Sequence, residues 1–516
     1  MTEIDFGEIK STEILGYSPV DARDLADKLA TGAKPSDLPG DFTLIIKGQS
    51  TDGSGYVAVL TSAVCALPYY YYHNDRQFVH GQNIFAVFRE AQIDWQWNED
   101  ALRSIVALTF CLDDDSLHRD IKRTAPATIY YYCQGELTTV KDTFPTDIFD
   151  PQVEYSDRDT LNIYNSVFDE YYGEREICLS LSGGYDSRVF LASFLKRGIK
   201  PPVATEGSPD SIDVITATAI AKDFGLEHRV LKLSETDFID NAEAIIEATS
   251  GESAISAAWG PYLFLQQIQF PSHALHLAGT NGGLFKANYA SQEIFYQAAD
   301  LLPNSILKQF FNAYLLYKKR PYKGFPLTAF NCFKQPTFTS VSDRCYQLAK
   351  IVPNFSNQVD YFHSFNRVRN YTGKGLALYN SFNLTSSPFL DCRMVRAGAR
   401  LATKYKLNSR FHQHILLDGC PQLAEYPMNG KNISPSRSTK YAWLEKKAKQ
   451  PQTGKNLYTK LMENAELVDI YHNSRHLDYF MERSDREKAF KQKIFAVFSF
   501  LVTMHYVCER ITNTEQ

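Results

Sequence analysis

Six consecutive residues, Ser182-Gly183-Gly184-Tyr185-Asp186-Ser187, bring together two hydroxyls, two glycines and a carboxylate. Glycine tolerates positive φ and lets backbone approach a ligand closely. Amides of such a turn and of a following helix point outward together and, with the helix dipole, form an anion site. Phosphate is the natural guest, and Ser182 and Ser187 add hydroxyl donors. A carboxylate at that mouth makes sense if Asp186 holds Mg²⁺, a hard cation that favours oxygen ligands. The turn lacks the lysine of the G-x-x-x-x-G-K-[ST] phosphate loop, so the chemistry is of another kind. The competing reading is an Asp-Ser pair that merely caps an ordinary strand–helix turn.

These groups need a strand, a tight turn and a helix to position them. "ICLSL" before the turn reads as a buried strand, and "SRVFLASFLKRGI" after it as a helix ending near Gly198. "PVATEG" (strand), "SIDVITATAIAKDFG" (helix) and "HRVLKL" (strand) follow, an alternation that predicts a parallel α/β sheet. Ligands of such sheets bind at the carboxyl ends of the strands, where the six residues lie. Upstream, Leu161, Tyr164, Val167 and Phe168 share one helical face. Beyond residue 290 the chain reads as mostly helical. Residues 1–145 differ: "DFTLIIKG", "GYVAVLTS" and "ATIYYYC" are short β-branched or aromatic runs broken by turn clusters. They predict a β-sandwich with few helices. A Pro- and Asp-rich linker at 146–158 then separates a domain at 1–145 from an α/β domain with a helical C-terminal part at 159–516.

The whole-chain totals narrow the function. With 516 residues, 54 basic against 59 acidic side chains and a net charge of −5, no basic footprint for nucleic acid is expected. Nine scattered cysteines make no C-x-x-C pair, which argues for buried, reduced thiols and against zinc. The start, "MTEIDFGEIKSTEIL", is no signal peptide, and the apolar run 494–507 is shorter than the ~20 residues a spanning helix needs. A cytoplasmic protein, with no membrane partner, is expected. His412 and His414 diverge by ~200° on a helix and are not expected to share a metal. Tyr69–Tyr72 reads as sheet strand.

S-G-G-x-D-S after a buried strand resembles the pyrophosphate loop of the N-type ATP pyrophosphatases, and within them the asparagine synthetase family, with its β-lactam synthetases and lasso-peptide cyclases. "GSPDSIDVITATAIAKDFGLEH" resembles that family's next segment, and Pro388-Phe389-Leu390-Asp391 its P-F-L-D hallmark. The resemblance implies an adenine-nucleotide α-hydrolase-like domain that binds ATP with Mg²⁺ and releases AMP and pyrophosphate. It implies nucleotide contacts at Leu181, Ser182, Gly183, Gly184, Tyr185, Asp186, Ser187, Gly279 and either Ala204 or Thr205, with Asp186 on the metal.

"LPGDFTLII" and "QFVHGQNIFAVF" resemble that family's Ntn-type glutamine-amidotransferase domain, whose nucleophile is an N-terminal cysteine. Here Met1-Thr2-Glu3 stands at that place and Cys65 reads as core, which implies a structural domain without glutaminase activity. The attacking nucleophile is then an amine on a substrate, with ammonia from a separate partner as the other possibility. The family's second motif, S-G-x-G-x-D-E-x-x-x-G-Y, aligns with "AGTNGGLFKANY"; Gly279 and Tyr289 match, but Gly283 and Leu284 replace the Asp and Glu. Asp186 then holds the metal alone or with Thr280, Asn281 or Glu206, or the protein binds nucleotide without turnover. The family also implies a late catalytic lysine: Lys431, which follows a Pro-Met-Asn-Gly turn, or Lys440, with Arg437 a further cation in the same loop. Natural-product biosynthesis is expected, with a small-molecule, peptide or carrier-bound acid as substrate. A homodimer is left open.

Overall fold

The computed structural model describes residues 4–173, 175–232, 235–286, 325–334, 340–427 and 453–515, with single positions at 309 and 444. Lys431, Arg437, Lys440, Tyr289 and Met1-Thr2-Glu3 lie outside the described residues.

The front of the chain forms eight strands: β1 (Glu8–Tyr17), β2 (Asp41–Gln49), β3 (Gly55–Thr61), β4 (Tyr70–Asn74), β5 (Gln77–Gly81), β6 (Lys122–Arg123), β7 (Thr128–Cys133) and β8 (Glu136–Lys141). They build two antiparallel sheets, β1-β2-β3-β7-β8 and β5-β4-β6. The tyrosine run falls mostly in β4. Three helices, Ala22–Ala30, Ile84–Ala91 and Glu99–Leu108, add more helix than the sequence pattern suggests. Each starts at an Asp or Asn whose side chain accepts from first-turn amides: Asp21, Asn83 and Asn98.

Ser156 caps the helix Asp157–Tyr172 through a capping box with Asp159, and Leu161, Tyr164, Val167 and Phe168 are buried as the spacing requires. Next come β9 (Ile177–Ser180), β10 (Val203–Glu206), β11 (His228–Leu231), β12 (Leu275–Leu277) and β13 (Thr385–Ser386). They pair in parallel, in the order β11-β10-β9-β12-β13. The chain winds outward from β9 in both directions, so β9 and β12 flank the topological switch point, the place where a doubly wound sheet opens a crevice. The two-residue β13, inside a helical stretch, carries no periodicity of its own and is recognisable only by its pairing.

The remainder is mostly helical. The apolar run 494–507 lies in the helix Phe495–Glu515, whose Val497, Leu501, Val502 and Val507 are buried. This helix packs in one core with the front-domain helices Ile84–Ala91 and Glu99–Leu108. No helix of the described residues is long and apolar enough to cross a membrane.

Specific polar contacts join front and back. Tyr17 Oη donates to the Tyr171 carbonyl (3.1 Å), and the Gly40 amide to Asp391 Oδ2 (3.1 Å). The fully buried Arg123 and Arg369 interlock: Arg123 donates to the Arg369 carbonyl (2.7 Å), and Arg369 to Asp114 Oδ1 (2.6 Å). The P-F-L-D segment belongs to this joint. Asp391 caps the helix Cys392–Arg400 and binds Arg393, while Phe389 packs on Phe190 and Phe285.

Candidate active site

A crevice of about 550 Å³ opens at the carboxyl ends of β9, β10 and β12. Leu181, Ser182, Asp186, Ser187, Thr205 and Gly279 line it together, so the structure gathers these sequence-predicted positions in one place. Thr205 Oγ1 donates to the Leu181 carbonyl (2.8 Å), tying two strand ends to each other. Gly279 is required by close approach: a Cβ there would stand 2.7 Å from Asp186 Cβ. Tyr185 is different. Its ring is buried in the core with the Arg188 guanidinium 5.2 Å above it, so only its backbone can serve a ligand.

The turn does not use the left-handed conformation that its glycines permit. Gly184 has φ −82° and ψ 166°, and Gly183 also avoids positive φ. At Gly183 the reason for glycine is again space, since a Cβ would meet Asp213 Oδ1 at 3.1 Å. The turn amides already hold acceptors. Gly183 donates to Asp213 Oδ1 (2.7 Å), Ser182 to Ser187 Oγ (3.1 Å), and Gly184 to Ser182 Oγ (3.1 Å). A carboxylate thus sits where an anion site would hold phosphate. Gly184 contributes no side-chain cap to the helix Tyr185–Lys196, whose first-turn dipole faces the same crevice.

Arg188 braces the turn from below. It is fully buried and donates to the carbonyls of Gly183 (2.9 Å), Leu423 (3.2 Å), Tyr426 (3.0 Å) and Pro427 (3.0 Å). Burial pulls its pKa down to about 10. It therefore fastens the turn to the last described residues before Lys431.

Asp186 is the largest departure from expectation. The Lys286 ammonium lies 2.6 Å from its Oδ2, and His412 Nε2 lies 2.9 Å from its Oδ1. Burial would raise this carboxyl, but the Lys286 charge, reinforced by His412, holds it well below the usual carboxylate range. Burial in turn lowers the pKa of His412. His414 points elsewhere, to Asp157 at 3.3 Å, so the two histidines diverge as their spacing requires. Gly282 lets the second motif close over the pair, because a Cβ there would overlap the Asp186 carboxylate.

These residues do not fit the magnesium centre that Asp186 suggests. Both carboxylate oxygens face nitrogen-bearing side chains, and Gly283 supplies no second acid. Asn281 is committed to the fold, donating to the Phe389 carbonyl (3.0 Å) and accepting from Ser364 (3.3 Å). Among the described residues, no group of three or more His, Cys, Asp or Glu side chains could hold a metal ion.

Sequence reasoning missed Lys286 and His412 as partners of Asp186, and the far wall of the crevice. Lys286 is visible in "AGTNGGLFKANY", but nothing in its spacing aims it at Asp186. The far wall is a π-helix, His363–Thr372, a rare form that concentrates at functional sites. It contributes His363, Arg367, Tyr371 and Thr372. Next to it on the same wall, Lys374 forms a buried pair with Glu252 (2.6 Å), which also accepts from Tyr70 Oη of the front domain (2.9 Å).

In the front domain, burial raises the Cys65 thiol, which contacts Thr124 Oγ1 (3.4 Å). It is a core residue, as its sequence context implies.

Residues 162–291 match the family model described as asparagine synthase. The match spans β9 to β12, the turn and the second motif, and so coincides with three walls of the crevice. At the level of the family it supports an ATP-dependent ligase that forms an amide bond. No curated protein matches the chain.

Proposed function

We propose that the protein is an AMP-forming ligase: it adenylates a carboxylic acid on ATP and passes the acyl group to an amine, with no glutaminase step. The observation that carries this reading is the 182–187 turn at the switch point, whose Gly183 amide already binds a carboxylate and whose helix dipole faces the crevice. The β- and γ-phosphates would displace Asp213 from Gly183 and rest on this turn. The acid's oxygen then attacks the α-phosphorus, and pyrophosphate leaves. The amine forms the C–N bond while the C–O bond to AMP breaks. Arg367, on the crevice wall, is placed to offset the developing charge, and Lys431 is the further cation that the family resemblance implies.

Hydroxylamine intercepts acyl-adenylates whatever the natural amine, so it serves as the assay nucleophile. With ATP and a panel of carboxylic acids, the full chain is expected to give hydroxamate with AMP and pyrophosphate. Lys431→Ala should lower kcat by roughly 10²–10³ with ATP affinity kept, the loss typical of one transition-state donor; Lys440→Ala should matter less. ADP as product, or full activity in Lys431→Ala, would overturn the assignment. The Lys286–Asp186 pair and Gly283 favour one other reading, a protein that binds nucleotide without turnover. Tight ATP binding with no hydroxamate from any acid would support it.

A further inference from the structure

A second cavity, of about 990 Å³, adjoins the crevice. Glu206, Ala257 and Tyr371 belong to the walls of both. The larger chamber lies between the loop after β10, the helix Ile255–Ile268, the front-domain helix Glu99–Leu108 and the C-terminal helix Phe495–Glu515. Ile105, Trp259, Phe495, Phe500 and Met504 make much of its wall apolar. Its volume is at the upper end of small-molecule sites, roughly 300–1,000 Å³.

Among the described residues of that wall Glu206 is the one acid, and it stands where the chamber meets the crevice. Its carboxyl lies flat against Gly260, where any Cβ would overlap it. A glycine inside the helix Ile255–Ile268 costs about 1 kcal/mol relative to alanine, and this contact explains its presence. Burial, with the nearby Asp213 charge, pushes Glu206 up to about 7, and no hydrogen bond or ion pair within the described chain reaches it. The groups that face it are Asp213 on the helix Ile212–Phe224 and Tyr379 on the helix Gly373–Asn380; Lys232 and Lys460 line the chamber elsewhere.

We propose that this chamber seats the amine of the ligation, a primary amine on an apolar aliphatic or aromatic body, with its ammonium on the Glu206 carboxylate. The assignment of the amine to a ligation rests on the ligase reading above. An acid would present a carboxylate to Glu206 and be repelled, whereas an ammonium is matched there and left facing the crevice. In the transfer, the ammonium gives one proton to Glu206 and its lone pair forms the C–N bond to the acyl carbon. The C–O bond to AMP breaks, AMP leaves with that electron pair, and the second nitrogen proton passes to solvent as the amide forms.

Calorimetric titration of the full chain with 2-phenylethylamine and octylamine, with octanoate as the opposite-charge control, tests this. Amine binding is expected, at least 10-fold weaker in Glu206→Gln and abolished in Ala496→Trp, which fills the chamber away from the crevice. Wild-type amine affinity should rise between pH 6 and 8 as Glu206 ionises and should be flat in Glu206→Gln. ATP is titrated into each variant. Octanoate binding in place of the amines, or ATP binding with no amine binding, or amine affinity unchanged in Glu206→Gln, would overturn the proposal. Amine binding with these mutational effects but no ATP binding would uphold the chamber and remove the ligase reading.

Discussion

At the scale of single residues, the decisive feature is the charge at Asp186. A carboxylate in the 182–187 turn suggests a metal, yet here Lys286 and His412 surround it. Lysine at 286 supplies within the chain a positive charge that a divalent ion would otherwise bring. Lys286→Met should therefore leave a largely buried carboxylate without its counter-charge, at a cost of about 1–3 kcal/mol at pH 7. The sign with pH follows from the depressed Asp186 pKa. Its stabilisation is present above the ordinary carboxylate value and is lost as pH falls through the lower folded one. The Tm difference between wild type and Lys286→Met should thus begin to shrink as pH falls below about 4 and keep shrinking toward the lower folded value. Millimolar Mg²⁺ should raise the Tm of Lys286→Met and leave wild type unchanged. An equal Mg²⁺ effect on both proteins, or equal Tm at pH 7, would show that the lysine does not take this role. The loss of Asp and Glu at 283 and 284 is legible in the sequence. The compensation is not, because pairing of residues 100 positions apart is set by how the second motif folds over the turn.

At the scale of elements, the turn depends on what lies beneath it. Arg188 spends its donors on four backbone carbonyls, three of them in 423–427. Arg188→Leu keeps much of the volume and removes every donor. Each carbonyl left unpaired costs about 1–3 kcal/mol, so a clear drop in Tm is expected. ATP affinity should fall at least 10-fold in conditions where the variant is still folded, judged by near-ultraviolet circular dichroism. Unchanged ATP affinity would mean that the turn holds its shape alone. The strands β9, β10 and β11 and the helices after them were readable because short apolar runs alternate with capped, periodic segments. The helix Asp157–Tyr172 showed the same clarity. Three features were hidden. A two-residue strand such as β13 has no period, and a π-helix at 363–372 shares its residue preferences with α-helix. The turn's glycines suggest conformational freedom, whereas at Gly183 the residue answers to crowding by Asp213.

At the scale of the molecule, the front sheets and the α/β part are joined through buried charge. Tyr70, Glu252 and Lys374 link β4 to the wall of the crevice, and Arg123 and Arg369 link the sheets to the π-helix. A front domain read as lacking its nucleophile is thereby built into the site as support, and its helix Glu99–Leu108 also closes the larger chamber. In the proposed ligase, residues 182–187 grip the distal phosphates of ATP. The most direct test is competition calorimetry on the full chain, with ATP, AMP and pyrophosphate titrated with and without Mg²⁺. ATP is expected to bind at least 10-fold more tightly than AMP, pyrophosphate to displace ATP, and this preference to persist without Mg²⁺. Equal affinity for AMP and ATP, or ATP binding that pyrophosphate does not disturb, would contradict it.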